Sequence, residues 1–400
     1  MLKSYKIKIL VSAFLLMVGI AVSAQNKKAN VYLSRAQTMY KLIWKYYHKP
    51  QYGLFAENFP LAGNSDSLNY LQGSSVKEKQ VSFLWPYSGM FSVTNVLIKV
   101  PAFRGAYRVK LDTIVAGMEK YHDVSRQPPG YQAYPVSFEK ADRYYDDNAL
   151  VGIDYMESYF NTKNPVYLER AKGVFKFIVS GWSDELGGGV TWLEGHNDQK
   201  PACSNGMATL VALKLYQGTK DPYYLTWGKK FYSWMYNNLR DSSGVYVNDK
   251  KPDGSVNRTF WTYNSGSMLE AGVLLYRFTG DKQYLKQAQA VAQSTYKHFS
   301  EEKHDSNLTM RIDLPWFVTV LFRGYEDLYK EDGNYSYISS VEQNLNYAWQ
   351  NSRDKYGFVT HSWVPKPDEL SKPKWLLDEA CIAELYARLG LLEQQRVKAR

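Results

Sequence analysis

Asp221-Pro222-Tyr223-Tyr224-Leu225-Thr226-Trp227-Gly228-Lys229-Lys230-Phe231-Tyr232 and Asp281-Lys282-Gln283-Tyr284-Leu285-Lys286-Gln287-Ala288-Gln289-Ala290-Val291-Ala292 share one plan: a turn residue, a Tyr-Leu pair, then a helical stripe. With the tyrosine as a marker, the plan recurs at Tyr32, Tyr107, Tyr167, Tyr224, Tyr284 and Tyr337. Tyr107 and Tyr337 lack the following leucine. The period is about sixty residues, long for a solenoid repeat. Between the markers lie segments of another character, beginning near Trp85, Asp146, Cys203, Tyr263, Pro315 and Asp378. They continue as runs such as Met207-Ala-Thr-Leu-Val-Ala-Leu-Lys-Leu-Tyr, apolar over too much of a helix's circumference for a surface helix. The marker helices carry Lys, Arg and Gln on one side and are expected to face solvent.

Six buried helices alternating with six amphipathic ones predict an all-α fold, an (α/α)6 barrel of six helical hairpins. An open solenoid is the alternative, but no polar cap is evident at either end. In the ring, the extra chain length falls in loops that enter the inner helices. Function is therefore expected at that mouth.

The first 24 residues read as a cleaved secretory signal. Lys3, Lys6 and Lys8 form a basic start, Ile9 to Ile20 is almost wholly apolar, and Ala21-Val-Ser-Ala24 supplies a small-residue cleavage site. The apolar run is too short for a durable membrane span, and Gln25 rather than a lipid-accepting cysteine follows it. The expectation is a soluble monomer in the periplasm or outside the cell, with residues 25–400 forming a single catalytic domain. Losing the leader lowers the net charge from +10 by three lysines. That mild surplus forms no basic stripe, so neither nucleic acid nor membrane insertion is expected. Six scattered histidines give no HxH or HExxH pair, and no metal or other cofactor is implied. Cys203 and Cys381 begin or lie in the third and sixth inner segments, which face each other across a six-membered ring. A disulfide needs Cα atoms within about 7 Å, so both thiols are expected to be free.

Arg143-Tyr-Tyr-Asp146-Asp147-Asn148-Ala149 places two acids side by side where a buried helix begins. Helix capping accounts for one of them, since a carboxylate there satisfies free N–H groups and complements the helix dipole. Two together suit a retaining glycosidase, which needs a nucleophile and an acid/base about 5–5.5 Å apart. Close carboxylates also disfavour double ionisation, so one keeps a proton to donate. From spacing alone, catalysis and capping both stand.

The stretch Tyr145-Asp-Asp-Asn-Ala resembles the paired-aspartate signature of glycoside hydrolase family 76, the bacterial endo-α-1,6-mannanases. The resemblance extends to Pro201-Ala-Cys-Ser-Asn-Gly-Met-Ala, Tyr263-Asn-Ser-Gly-Ser-Met-Leu-Glu-Ala and Leu376-Leu-Asp-Glu-Ala, covering about residues 30 to 393. It implies an (α/α)6 barrel, retention of configuration without metal, Asp146 as nucleophile and Asp147 as acid/base, acting on α-mannan or manno-oligosaccharides. Where family members often open the fifth inner helix with Phe-Lys-Gly-Ile-Phe, this chain has Leu314-Pro-Trp-Phe-Val. That change reshapes one wall of the cleft and bears on subsite preference and on endo versus exo action.

The chain holds 34 Tyr and 11 Trp, and flat aromatic faces suit the C–H faces of sugars. Trp227 and Trp234, on a marker helix, are assigned to the core. Trp85, Tyr87, Trp192, Trp261, Tyr263 and Trp316 lie in or near mouth loops and are candidate sugar contacts, as are Tyr145 and Asn148 beside the acids. Asn205 and Asn264 read as equivalent positions at two inner-helix starts, either as N-caps or as donors to sugar hydroxyls. Asp313 and Asp378 are similarly placed. Gly187-Gly-Gly-Val-Thr-Trp192 reads as a loop whose backbone passes close to sugar. The competing classes are a non-catalytic glycan-binding protein of a polysaccharide uptake system and a wall transglycosidase. The first gives no reason for adjacent acids, and the second is expected to carry an anchoring tail, where this chain ends in charged residues. An unsaturated glycuronyl hydrolase or a sugar epimerase shares the barrel, but an epimerase relies on paired histidines at the mouth.

Overall fold

The computed structural model describes residues 26–61 and 79–398. The leader expected over residues 1–24 lies outside them. The helices run in chain order as α1 (26–46), α2 (Leu84–Ile98), α3 (Arg104–Met118), α4 (Tyr145–Thr162), α5 (Pro165–Ser180), α6 (Ala202–Thr219) and α7 (Pro222–Asn238). They continue as α8 (Thr262–Thr279), α9 (Lys282–Glu301), α10 (Pro315–Asp332), α11 (Ser336–Asn351), the single turn α12 (Pro367–Ser371) and α13 (Leu376–Lys398). All six marker tyrosines fall on α1, α3, α5, α7, α9 and α11, and each apolar segment starts an inner helix within two residues of the expected place. The inner helices α2, α4, α6, α8, α10 and α13 pack each on the next, and α13 packs back on α2. That contact closes the ring and excludes the open solenoid. Both cysteines are free. They stand on α6 and α13, opposite members of the ring.

Inner-to-outer turns are short, and one local device repeats in them. Thr162-Lys163-Asn164-Pro165, Thr219-Lys220-Asp221-Pro222 and Thr279-Gly280-Asp281-Lys282 each end an inner helix with a left-handed residue, Lys163, Lys220 or Gly280. The next residue, Asn164, Asp221 or Asp281, then caps the outer helix by accepting from the N–H two positions on. The threonine hydroxyl in turn accepts that capping residue's own N–H at 3.2 Å each time. Such tight turns leave the longer connections on the opposite face, where they form the mouth.

The inner face of the barrel, away from the mouth, carries charge. Lys214 on α6 bridges Glu157 on α4 and Glu270 on α8, both at 3.0 Å. Arg323 on α10 pairs with Glu384 on α13 at 2.8 Å, and Arg388 on α13 reaches Glu384 and Glu326 at 2.7 and 2.9 Å. Lys99, just past α2, pairs with Glu157 at 2.6 Å. Two clusters therefore tie neighbouring inner helices together, one across α4, α6 and α8 and one across α10 and α13. Losing one partner of such a buried pair strands a charge and costs about 3–5 kcal/mol.

Short strands stiffen the mouth. A hairpin of β1 (Val247–Lys250) and β2 (Val256–Phe260) stands before α8, and Lys200–Pro201 pairs with its first strand.

Candidate active site

The register of each inner helix decides what faces the mouth. Counting from the first helical residue, the second positions are Trp85, Asp146, Cys203, Tyr263, Trp316 and Leu377. The first five line one cleft of about 1070 Å³, and Leu377 is buried. Two residues further on, a helix has turned about 200°, and the side chains point back into the scaffold. The fourth positions include Asn148, Asn205, Ser265 and Glu379. Each accepts a backbone N–H from the preceding loop: that of Tyr131 at 2.7 Å, Val190 at 2.7 Å, Tyr246 at 3.2 Å and Val359 at 3.3 Å.

This register corrects several sequence expectations. Asn148 and Asn205 are fully buried loop clamps, neither N-caps nor sugar ligands. Asn148 also donates to the carbonyls of Tyr131 and Tyr144, and Asn205 to those of Val190 and Pro201. Asn264 is not the equivalent of Asn205; it sits one position earlier, is fully buried, and donates to the Tyr246 carbonyl at 3.5 Å. Tyr87 is buried with its hydroxyl on the Ile114 carbonyl, and Tyr145 is buried against Phe177. Asp378 lies off the cleft, buried and bonded to His361 Nδ1 at 2.7 Å. Asp313 accepts from the N–H and hydroxyl of Thr262, tying down the start of α8. Gly188 and Gly189 have φ of 121° and 95°, and a Cβ on either would strike Trp182 or Trp234. The glycine run is shaped by packing on tryptophan, not by sugar.

Asp146 and Asp147 lie in the first turn of α4, which has Tyr144 at its N-cap and no side-chain cap. The dipole of α4 favours negative charge here. The loops on either side are locked together: Arg143, wholly buried, pairs with Glu194 (Nε to Oε2, 2.8 Å) and donates to the Pro128 carbonyl. Tyr145 N–H donates to the Trp192 carbonyl at 2.9 Å, and the rings of Tyr144 and Trp192 lie 4.8 Å apart. Trp192 is thereby held with its indole Nε1 donating to Asp146 Oδ2 at 3.1 Å. Asp146 Oδ1 accepts the Asp147 N–H, also at 3.1 Å, and Cys203 lies beside the same carboxylate, lowering its pKa.

The two acids differ in surroundings. Burial raises the pKa of Asp146, while Cys203, the Asp147 N–H and Trp192 pull the other way. Burial and the neighbouring Asp146 charge push Asp147 well above the usual carboxylate range, and no donor opposes them. Asp146 is thus the member that ionises first, and Asp147 the one that keeps a proton.

Across the ring from α4 stands α10, whose Trp316 and Phe317 line the facing wall. Trp85, Trp261 and Tyr263 extend it. Trp85 meets Trp316 edge-on at 5.5 Å, and Tyr263 lies 4.2 Å from Phe317. The departure at Leu314-Pro-Trp-Phe-Val therefore falls on the cleft. Sequence reasoning missed the polar ends. Lys79, Glu139, Lys140 and Asp142 line one end, while Gln199, Asn248, Asn257 and Thr259 line the other. Asn248 and Asn257 are steadied by Asp249 Oδ2 at 2.8 and 2.9 Å. These sit on loops and a hairpin whose approach to the cleft only tertiary structure sets. The place of Cys203 in Ala-Cys-Ser-Asn matches that of Asp146 in Tyr-Asp-Asp-Asn, and this correspondence is the signal that marks it as a cleft residue.

The sequence profile described as glycosyl hydrolase family 76 matches residues 31–326. Among solved structures, the family 76 mannosidase Bt3792 of Bacteroides thetaiotaomicron superposes with a TM-score of 0.81 at 26% identity, over 91% of this chain and 99% of that one. The family 76 α-1,6-mannanase of Salegentibacter sp. HEL1_6, in an inactive variant with two consecutive aspartates replaced by asparagine and in complex with α-1,6-mannotriose, has a TM-score of 0.72 at 22% identity. It covers 90% of this chain and 99% of that one, a likeness of fold. The mannan endo-1,6-α-mannosidase DCW1 of Saccharomyces cerevisiae is 32% identical over 152 residues, 34% of this chain. That match also spans only 34% of the yeast protein.

Proposed function

Because the chain belongs to glycosyl hydrolase family 76, we propose that it hydrolyses α-1,6-mannosidic bonds of mannan with retention, using Asp146 as nucleophile and Asp147 as acid/base. The observation that carries the assignment is the asymmetry of the pair. Asp146 accepts hydrogen bonds from Trp192 and the Asp147 N–H and has Cys203 beside it, whereas Asp147 has burial and a negative neighbour. A nucleophile must be ionised and held in line; a general acid must hold its proton near neutrality. The substrate is supported by relatives named as mannan endo-1,6-α-mannosidases and by the α-1,6-mannotriose bound to the Salegentibacter mannanase.

In the first step an Asp146 oxygen bonds to the anomeric carbon while the glycosidic bond breaks. The Asp147 proton passes to the departing O6 of the next mannose. In the second step Asp147, now a carboxylate, takes a proton from water; the water oxygen bonds to the anomeric carbon and Asp146 leaves. Two inversions give net retention. The aromatic wall opposite supplies flat surfaces for sugar faces, and the Asn248–Asn257 end supplies neutral hydrogen-bonding groups.

Incubation with debranched and intact yeast α-mannan, with products resolved by size, tests the reading. A ladder of shortened manno-oligosaccharides supports hydrolysis. Products longer than the starting oligosaccharide indicate a transglycosidase, and binding without products indicates a glycan-binding protein. We further propose that the chain acts outside the cytoplasm after loss of residues 1–24; a mature N-terminus other than Gln25 would contradict that cleavage.

A further inference from the structure

We propose that Cys203 is a positioning residue for Asp146, its thiol forming the middle link of a chain that runs from the Tyr263 hydroxyl to the nucleophilic carboxylate. The inference rests on the retaining-mannanase reading above and deepens it.

Asp146, Cys203 and Tyr263 hold the same position, the second residue, on α4, α6 and α8. These helices pack side by side, so the three side chains stand in a row, and all three line the cleft. Along the row Cys203 stands between Tyr263 and Asp146, with its Sγ close enough to both for each to shift its ionisation. One loop contact and one helix contact hold the ends. Trp192 occupies Asp146 Oδ2 at 3.1 Å, and the ring of Tyr263 is pinned 4.2 Å from Phe317. A thiol suits the middle position. It is long and polarisable, and it is a weaker donor than a hydroxyl. It restricts rotation of the carboxylate while withdrawing little of the charge that must attack the sugar.

The titratable groups facing Asp146 are Asp147 and Tyr144 at the start of α4, Cys203 from α6 and Tyr263 from α8, with Asp313 behind Tyr263. Lys79, Glu139, Lys140 and Asp142 line the cleft further out. Among these neighbours Cys203 favours the ionised form of Asp146. In the proposed link the thiol is the donor, and removing it takes that donor away. The acid limb of the pH–rate profile, which reports ionisation of the nucleophile, then moves to higher pH.

The experiment compares the full-length enzyme with Cys203→Ala and Cys203→Ser on α-1,6-mannan, after thermal unfolding confirms that each variant folds. The expected result for C203A is a kcat lower by about tenfold, as for a lost hydrogen bond to a charged group. KM should stay near the wild-type value, with the acid limb displaced upward. C203S should restore most of kcat and return the limb toward its original position. An unchanged kcat and limb in C203A would overturn the proposal, as would a change confined to KM. Equal impairment of C203S and C203A would also overturn it, because packing alone would then explain the loss. A second arm needs no substrate. The pH dependence of Cys203 alkylation by iodoacetamide is followed by mass spectrometry in the wild type and in Asp146→Asn, with the buried Cys381 as internal reference. With the carboxylate removed, Cys203 should react from a lower pH. If that shift is seen but α-mannan is never cut, the functional reading fails and the Cys203–Asp146 link stands. If mannan is cut and the shift is absent, the link fails.

Discussion

Asp147→Asn tests the division of labour most severely, because stability and activity should move in opposite directions. Among the described residues no hydrogen bond reaches the Asp147 carboxyl, and burial with the Asp146 charge holds its pKa well above the ordinary range. The unfolded chain ionises this carboxylate near pH 4, while the folded chain holds its proton to higher pH. A group raised on folding contributes its stability fully below its unfolded pKa, near 4, and loses it as pH rises toward the folded value. Asparagine mimics the protonated acid in shape and has no such linkage. D147N should therefore melt above the wild type at pH 7, and the gain should vanish as pH falls below about 4. For a chain of this size each 1 kcal/mol is worth roughly 2 °C.

Activity should fall by about 10²–10⁴-fold, the usual worth of a general acid/base. The assay pairs differential scanning fluorimetry from pH 3.5 to 8 with turnover of two substrates, α-1,6-mannan and an aryl α-1,6-mannobioside with an acidic phenol. The phenol needs no protonation to depart, so the first step on that substrate should be restored. Added azide should then release an α-mannosyl azide, since attack on the covalent intermediate by azide requires no base. A melting temperature that falls with activity would refute the reasoning and return the residue to a structural role. So would a loss on mannan below tenfold.

Other outcomes follow from single contacts. Proton NMR in the first minutes of mannan digestion should show the α-anomer before mutarotation; an initial β-anomer would remove Asp146 as nucleophile. Lys214→Met strands Glu270 and leaves Glu157 with Lys99 alone; it should cost about 3–5 kcal/mol, visible as a lower denaturant midpoint, and an unchanged midpoint would mean the barrel tolerates the stranded charge. Asn205→Ala leaves the Val190 N–H without its partner, at about 1–3 kcal/mol, and hydrogen exchange at Val190 should accelerate while distant amides stay protected. Asp378 holds the His361 pKa above its ordinary value, so their pair stabilises fully below about pH 6.5 and fades as pH rises through the folded pKa. His361→Phe should lower the melting temperature more at pH 5.5 than at pH 9.

The ring was legible because its signal is local and repeated. Tyr224-Leu225 and Tyr284-Leu285 mark outer helices whose caps, Asp221 and Asp281, precede them by three residues, and the intervening runs are apolar on all sides. Even Tyr107 and Tyr337, without the leucine, fall on outer helices, because the period constrains them from both sides. The Asn248–Asn257 hairpin was not legible. Its strands are short, Val256 to Phe260 is largely exposed, and nothing local says which way such a hairpin leans. Lys79 and Glu139 come from different loops, and only the closed ring brings them to one end of the cleft.

The asparagines show where the reading of the site went astray, and the reason is angular. Polar residues at helix starts do not all face the mouth, because successive positions on a helix diverge by about 100°. Aligning Tyr145-Asp-Asp-Asn with Ala202-Cys-Ser-Asn and Thr262-Tyr-Asn-Ser puts Asp146, Cys203 and Tyr263 in one column and Asn148, Asn205 and Ser265 in another. The first column lines the cleft and the second clamps the loops. The same chemistry, a short polar side chain near a free helix end, thus serves two ends according to register. Trp85 and Trp316 join the first column by position rather than by type. On that ground the aromatic wall and the carboxylates are parts of one construction: helix starts aimed at a common axis, with the second residue of five of the six able to meet whatever enters.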